Sequence, residues 1–166
     1  MNYYFAPMEG ITGAVFRRTH HEFFPGIKYF MPFITPTTQE KLTPRQKRDV
    51  LPEYNEGVPA VPQLLTRTAA DFIWAANTLA SLGYAEVNLN LGCPSGTVTA
   101  KGKGAGFLAH PDELDRFLDA VFSACTVPIS IKTRLGVHDP AEFEALLEIY
   151  SRYPVAELTI HPRVRQ

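Results

Sequence analysis

A thiol at the end of a strand opens the chemistry of this chain. In Asn88-Leu89-Asn90-Leu91-Gly92-Cys93-Pro94 the apolar Val87, Leu89 and Leu91 alternate with Asn88, Asn90 and Gly92, the period-2 pattern of a strand. Pro94 stops the extended chain, because proline fixes φ and offers no N–H to a ladder. Cys93 is thereby held on a rigid base and left free to meet a ligand. From Ser95 to Gly106 follow four glycines and two lysines, Lys101 and Lys103. Glycine lets backbone approach a partner closely, so this run is read as a wall for a large ligand. The other groups with chemistry to offer are Pro7-Met8, Gln63, Asn90, Lys132 to Arg134 and His161 to Arg163. Each falls at or just past the end of an apolar run.

Those groups need strands to carry them. Apolar runs at 3–6, 27–34, 60–65, 86–91, 129–134 and 155–161 read as six strands. Helices are expected at 14–23, 69–82, 112–124 and 140–153, with a short one near 44–51 in the polar stretch 35–55. Phe72, Ala75, Ala76, Leu79 and Leu82 make one apolar stripe at 3.6 spacing, closed by Gly83. Leu114, Phe117, Leu118, Val121 and Phe122 make another, after Pro111. Phe143, Leu146, Leu147 and Tyr150 are the inward face expected of the last helix. Thr12 is the expected cap of the first helix, and Thr66 or Thr68 of the second. Strands alternating with helices imply a parallel sheet with helices outside, an α/β fold of the (β/α)8 TIM-barrel type. The polar groups then share its C-terminal rim, where such barrels build their active sites.

Composition limits the alternatives. The 166 residues suffice for one domain, and 45% apolar with 20% charged residues is ordinary for a globular protein. No run of about 18 apolar residues is present, which excludes a helical membrane span of the usual kind. Met1 to Pro7 lacks the basic and apolar regions of a secretory signal. Cys93 and Cys125 alone form neither a zinc pattern nor a disulfide framework, so no metal is expected and a reducing cytoplasm is the natural setting. Cys125, ending an amphipathic helix, reads as an inert buried thiol. A net charge of −1 gives no general support for nucleic-acid binding. Arg17-Arg18 and Arg45/Lys47/Arg48 read as surface charge.

The motifs Ala6-Pro7-Met8-Glu9-Gly10-Ile11-Thr12, Val61-Pro62-Gln63-Leu64, Asn90-Leu91-Gly92-Cys93-Pro94, Gly104 to Leu108, Ile131 to Gly136 and Thr159-Ile160-His161-Pro162-Arg163 resemble, in this order, those of the tRNA-dihydrouridine synthases. The Asn-Leu-Gly-Cys-Pro block with its glycine-rich sequel is the most specific. The resemblance implies an FMN-binding barrel, reduced by NADPH, that adds hydride to C6 and a proton to C5 of a tRNA uridine. It makes Cys93 the proton donor; an ordinary thiol, of pKa about 8.5, is mostly protonated near neutrality. It implies that Pro7 and Met8 support the flavin, that Gln63 bonds its polar edge and that Lys132 offsets charge on the reduced ring. His161 contacts the cofactor and Asn90 orients uracil or flavin. Lys101, Lys103, Arg134 and Arg163 are weaker candidates for substrate or phosphate. The base must leave the tRNA stack to arrive there.

Two positions depart from the family pattern. Gly13 replaces a common acidic residue, and Glu86-Val87-Asn88 stands where many members carry an aspartate near Asn88. Six strands also fall short of the eight of a closed barrel. The expectation is therefore the N-terminal part of a longer enzyme, without the last two barrel strands and the helical tRNA-binding region. Alone it is expected to bind FMN weakly or not at all and to lack turnover, and its open edges offer a seam for a second copy. Two other readings stay open: an FMN barrel acting on a small molecule, as dihydroorotate dehydrogenases do, and a non-catalytic barrel fragment.

Overall fold

The structure, a computed structural model, describes residues 1–166. In chain order it contains β1 (Tyr3–Phe5), α1 (Ala14–Phe23), β2 (Ile27–Phe30), α2 (Pro44–Val50), β3 (Ala60–Val61), β4 (Gln63–Leu64), α3 (Ala69–Ser81), β5 (Val87–Leu91), α4 (Gly96–Thr99), α5 (Pro111–Ala124), β6 (Ile129–Gly136), α6 (Glu142–Tyr150) and β7 (Leu158–Val164). Every strand pair is parallel and joins neighbours in the sequence, as β1-β2-β3 and β4-β5-β6-β7. This is the α/β architecture of a TIM-type barrel left open: the outer sides of β1 and β7 have no partner. No helix is long and apolar enough to cross a membrane.

The expected third strand, 60–65, is two short ones. Pro62 has no N–H, so the ladder breaks there. The sheet still bends continuously past it, because Met31 N–H bonds the Val61 carbonyl, Ile34 N–H the Gln63 carbonyl and Leu65 N–H the Ile34 carbonyl. β2 likewise ends at Phe30 rather than Ile34, with Pro32 between them and Ile34 keeping only a bridge to Leu64.

Alternation along the strands separates two worlds. Leu89, Leu91, Ile129 and Ile131 turn toward the helices and join Phe72, Leu79, Leu114, Leu118 and Val121 in one core. Each such side chain, fully buried, contributes roughly 1.5–3 kcal/mol. The intervening Gln63, Asn88, Asn90 and Ser130 are also buried, but they bond one another, which marks the other, inner face of the sheet. In α6 the inward face is Leu146, Ile149 and Tyr150, and Leu147 is 43% exposed, one position off the expected stripe.

The threonines do not cap as expected. Gly13 is the N-cap of α1, and Thr12 instead bonds both Met8 N–H (2.8 Å) and Met8 C=O (3.2 Å). Thr68 is the N-cap of α3 with no side-chain bond, while Thr66 Oγ1 accepts from Thr68 N–H. Arg17 is not surface charge. It is fully buried and makes five hydrogen bonds, to Thr12 C=O, Asp49 C=O, Asp49 Oδ1 and twice to Asn55 Oδ1.

Candidate active site

A cleft of about 290 Å3 opens at the C-terminal ends of the strands, and its lining includes Pro7, Met8, Gln63, Asn90, Cys93, Lys132, Arg134 and His161. Eight residues from five separate parts of the sequence thus share one cavity. The other three sequence candidates lie outside it. Lys101 is exposed, Lys103 half-buried and Arg163 exposed.

The Cys93 turn is built from Asn90. Its Oδ1 accepts the N–H of Gly92 (3.0 Å) and of Cys93 (2.9 Å), fixing the chain where β5 ends. With its oxygen committed, Asn90 donates from Nδ2 to Gln63 Oε1 (2.7 Å). Gln63 Nε2 donates to Asn88 Oδ1 (2.8 Å), and Asn88 Nδ2 to Ser130 Oγ (2.8 Å). The two backbone donors at the head of this relay dictate the direction of every amide in it. Gln63 is left with one uncommitted N–H donor. Asn88, absent from the sequence-based site, is therefore part of its foundation. The signal was available: Val-Asn-Leu-Asn-Leu places two amides on the inner face of a wholly buried strand.

The glycine run closes on the protein rather than on a ligand. Ala105 N–H bonds the Cys93 carbonyl at 3.0 Å. A Cβ on Gly104, where φ is +56°, would lie 2.8 Å from that carbonyl oxygen, and one on Gly106 would lie 2.7 Å from the Thr99 carbonyl oxygen. The glycines let residues 104–109 pack under the Cys93 turn, which is why 104–106 are buried. Arg134 also serves the turn. Its Nε donates to the Gly92 carbonyl (2.7 Å) and its Nη1 to the Val164 carbonyl (2.9 Å), tying the end of β5 to β7 across β6. On the opposite wall, Thr12 holds the loop that presents Pro7 and Met8.

The cationic side of the cleft lies on β6 and β7. Lys132 is half-buried and belongs to none of the chain's six ion pairs. Burial, and then the Arg134 charge, push its pKa below the ordinary lysine value. His161 is pushed down too, first by burial and then by Arg134, Lys132 and Arg163, so it is a neutral imidazole near pH 7. A lone ammonium, a neutral imidazole and a directed amide N–H face a rim formed by Pro7 and Met8. That donor set suits a flat, anionic, polar-edged ring. At about 290 Å3 the cleft is at the lower end of the range for ligand pockets, roughly 300–1,000 Å3, the size of a ring system rather than a whole mononucleotide.

A parallel α/β sheet with its polar groups converging beyond the strand ends is the arrangement of TIM-type barrel folds. The profile of the dihydrouridine synthase (Dus) family matches residues 4–166, and the chain belongs to that family. It is 31% identical over 164 residues to a probable tRNA-dihydrouridine synthase of Staphylococcus aureus (strain COL), covering 97% of this chain and 49% of that one. It is 32% identical over 163 residues to one of Rhodobacter capsulatus, covering 96% and 49%. The protein of that name from Staphylococcus epidermidis (strain ATCC 12228) is 31% identical over 164 residues. The chain thus spans about half the length of the curated relatives it matches.

Proposed function

We propose that this chain carries the proton-donating and flavin-holding part of a tRNA-dihydrouridine synthase, which reduces the C5–C6 double bond of a tRNA uridine with NADPH as the source of electrons. The observation that carries this reading is the meeting of Cys93 with Lys132, His161 and the Asn90–Gln63 relay in one strand-end cleft. The donor set fits FMN. Lys132 and Gln63 would hold the polar edge of its ring, Pro7 and Met8 its face, and His161 its remaining polar group. When bound and reduced, FMN supplies hydride for uracil C6.

The chain's own residues do the rest. Cys93 gives its thiol proton to C5 and recovers one from solvent. Asn90 and Arg134 hold the turn so that the sulfur stays where the base arrives. Lys132, unpaired and in partly desolvated surroundings, opposes negative charge more strongly than it would in water. The neutral His161 binds without adding a third positive charge beside Lys132 and Arg134.

Incubation of a synthase of full family length that carries this chain with unmodified tRNA, FMN and NADPH, followed by nucleoside mass spectrometry, tests the reading. Cys93→Ala is expected to lower dihydrouridine formation by about 10²–10⁴, the usual worth of a positioned acid. Undiminished product would remove Cys93 from the role. Product from a free pyrimidine with none from tRNA would move the activity to small molecules.

A further inference from the structure

A second concavity, of about 530 Å3, adjoins the cleft and shares Glu9, Pro32 and Phe33 with it. Its lining brings apolar side chains together with two arginines. Ile11 and Val15 stand 59% and 82% exposed where α1 begins, with Phe33 half-buried beside the cleft. Arg45 and Arg48 reach the groove from α2. Arg48 is in no ion pair, and Arg45 has only the exposed Glu9, at 2.6 Å. Asp49, the other acid in the lining, is answered by the buried Arg17 at 3.0 Å.

The wall is also preorganised. Thr43 and Gln46 form a reciprocal capping box at the start of α2, and Gln46 Nε2 bonds the Thr35 carbonyl. Arg17 pins the other end through Asp49 and Asn55. Asn55 in turn bonds the Asp49 and Leu51 carbonyls. Burying a guanidinium is costly unless it is fully bonded, and here its bonds fix a surface helix beside the cleft.

We propose that this groove binds a nucleotide of single-stranded RNA next to the uridine that enters the cleft. The groove's apolar side chains take its base or ribose, and Arg48 with Arg45 takes its phosphate. The inference rests on reading the cleft as the uridine site. An apolar platform flanked by arginines is the chemistry of single-strand binding. A flipped base also leaves neighbours whose stacking is lost and which gain from a new surface. The shared wall puts such a neighbour within one nucleotide of the cleft. Lys41 and Lys47, both exposed, extend the positive surface beyond the groove, which favours a continuing polyanion over a free dinucleotide.

Fluorescence anisotropy of the 166-residue chain with a labelled single-stranded oligouridylate reads the proposal. Arg48→Glu is expected to weaken binding about tenfold and to lower the salt slope by roughly 0.7, the loss of one phosphate contact on a single strand. Arg116→Glu makes the same charge change on the exposed side of α5 and is expected to shift Kd less than about twofold. Equal losses from both variants, no loss from either, or no binding by the unmodified chain each overturn it. So does NADPH binding that depends on Arg48 while oligouridylate binding does not. Dihydrouridine formation and its dependence on Cys93, measured in a synthase of full family length that carries this chain, separate this from the function proposed above. Oligouridylate binding indifferent to Arg48, with product still dependent on Cys93, leaves that function standing. Arg48-dependent binding with product indifferent to Cys93 does the reverse.

Discussion

Asn90 does more than touch a ligand. It caps a strand end with its oxygen and aims a second amide with its nitrogen. Asn90→Ala strands one buried glutamine oxygen, whose unmet bond costs about 1–3 kcal/mol, and two part-buried backbone donors that water can reach. A loss of about 2 kcal/mol in urea unfolding is expected; a loss under 0.5 kcal/mol would mean that water replaces the relay. Asn90→Asp keeps the oxygen and loses the donor, so Gln63 must turn its amide over and Asn88 with it. At Gly13 a Cβ would lie 3.6 Å from Asp49 Oδ1, so a carboxylate there would crowd the Asp49 that meets Arg17 from α2.

At the scale of the element, the segment after β6 depends on one acid. Glu142, in the first turn of α6, accepts the N–H groups of Val137, His138 and Asp139. Burial pushes its pKa up, but those three bonds prevail and hold it below the ordinary carboxylate value. A carboxyl with a depressed folded pKa adds stability above its unfolded value, near 4.5, and loses it as pH falls through the folded value. Glu142→Gln should therefore lower the urea midpoint at pH 7 and flatten its decline below pH 4.5; parallel declines would refute the clasp. The element pattern itself was legible because buried parallel strands are continuous apolar runs and amphipathic helices keep one stripe. What escaped had contextual causes. Pro62 breaks a ladder only because β2 pairs on one side and β5 on the other. Thr12 caps or ties according to where Met8 lies.

Across the whole molecule, the strand-end rule made most of the site readable, since parallel strands laid side by side bring their C-terminal ends to one rim. It had no purchase on groups outside the strands. Arg17 looked like surface charge because nothing in Arg17-Arg18 reveals that Asp49 and Asn55, 32 and 38 residues on, will close over the first of the two. The glycine run looked open because sequence does not say what a glycine makes room for; at Gly104 and Gly106 it is the neighbouring backbone.

The Arg17 cluster binds the first helix to a distant loop through a single side chain, and lysine could not replace its fork of donors. Residues 49–55 and the first turns of α1 should then behave as one cooperative unit. Their slow amides, including Asn55 N–H and Arg17 N–H, are expected to exchange with deuterium at a common opening free energy. Arg17→Met should divide them, with 49–55 opening early and α1 keeping much of its protection. A rim wall that can open without the barrel core would let the groove beside the cleft widen while the Cys93 turn stays in place.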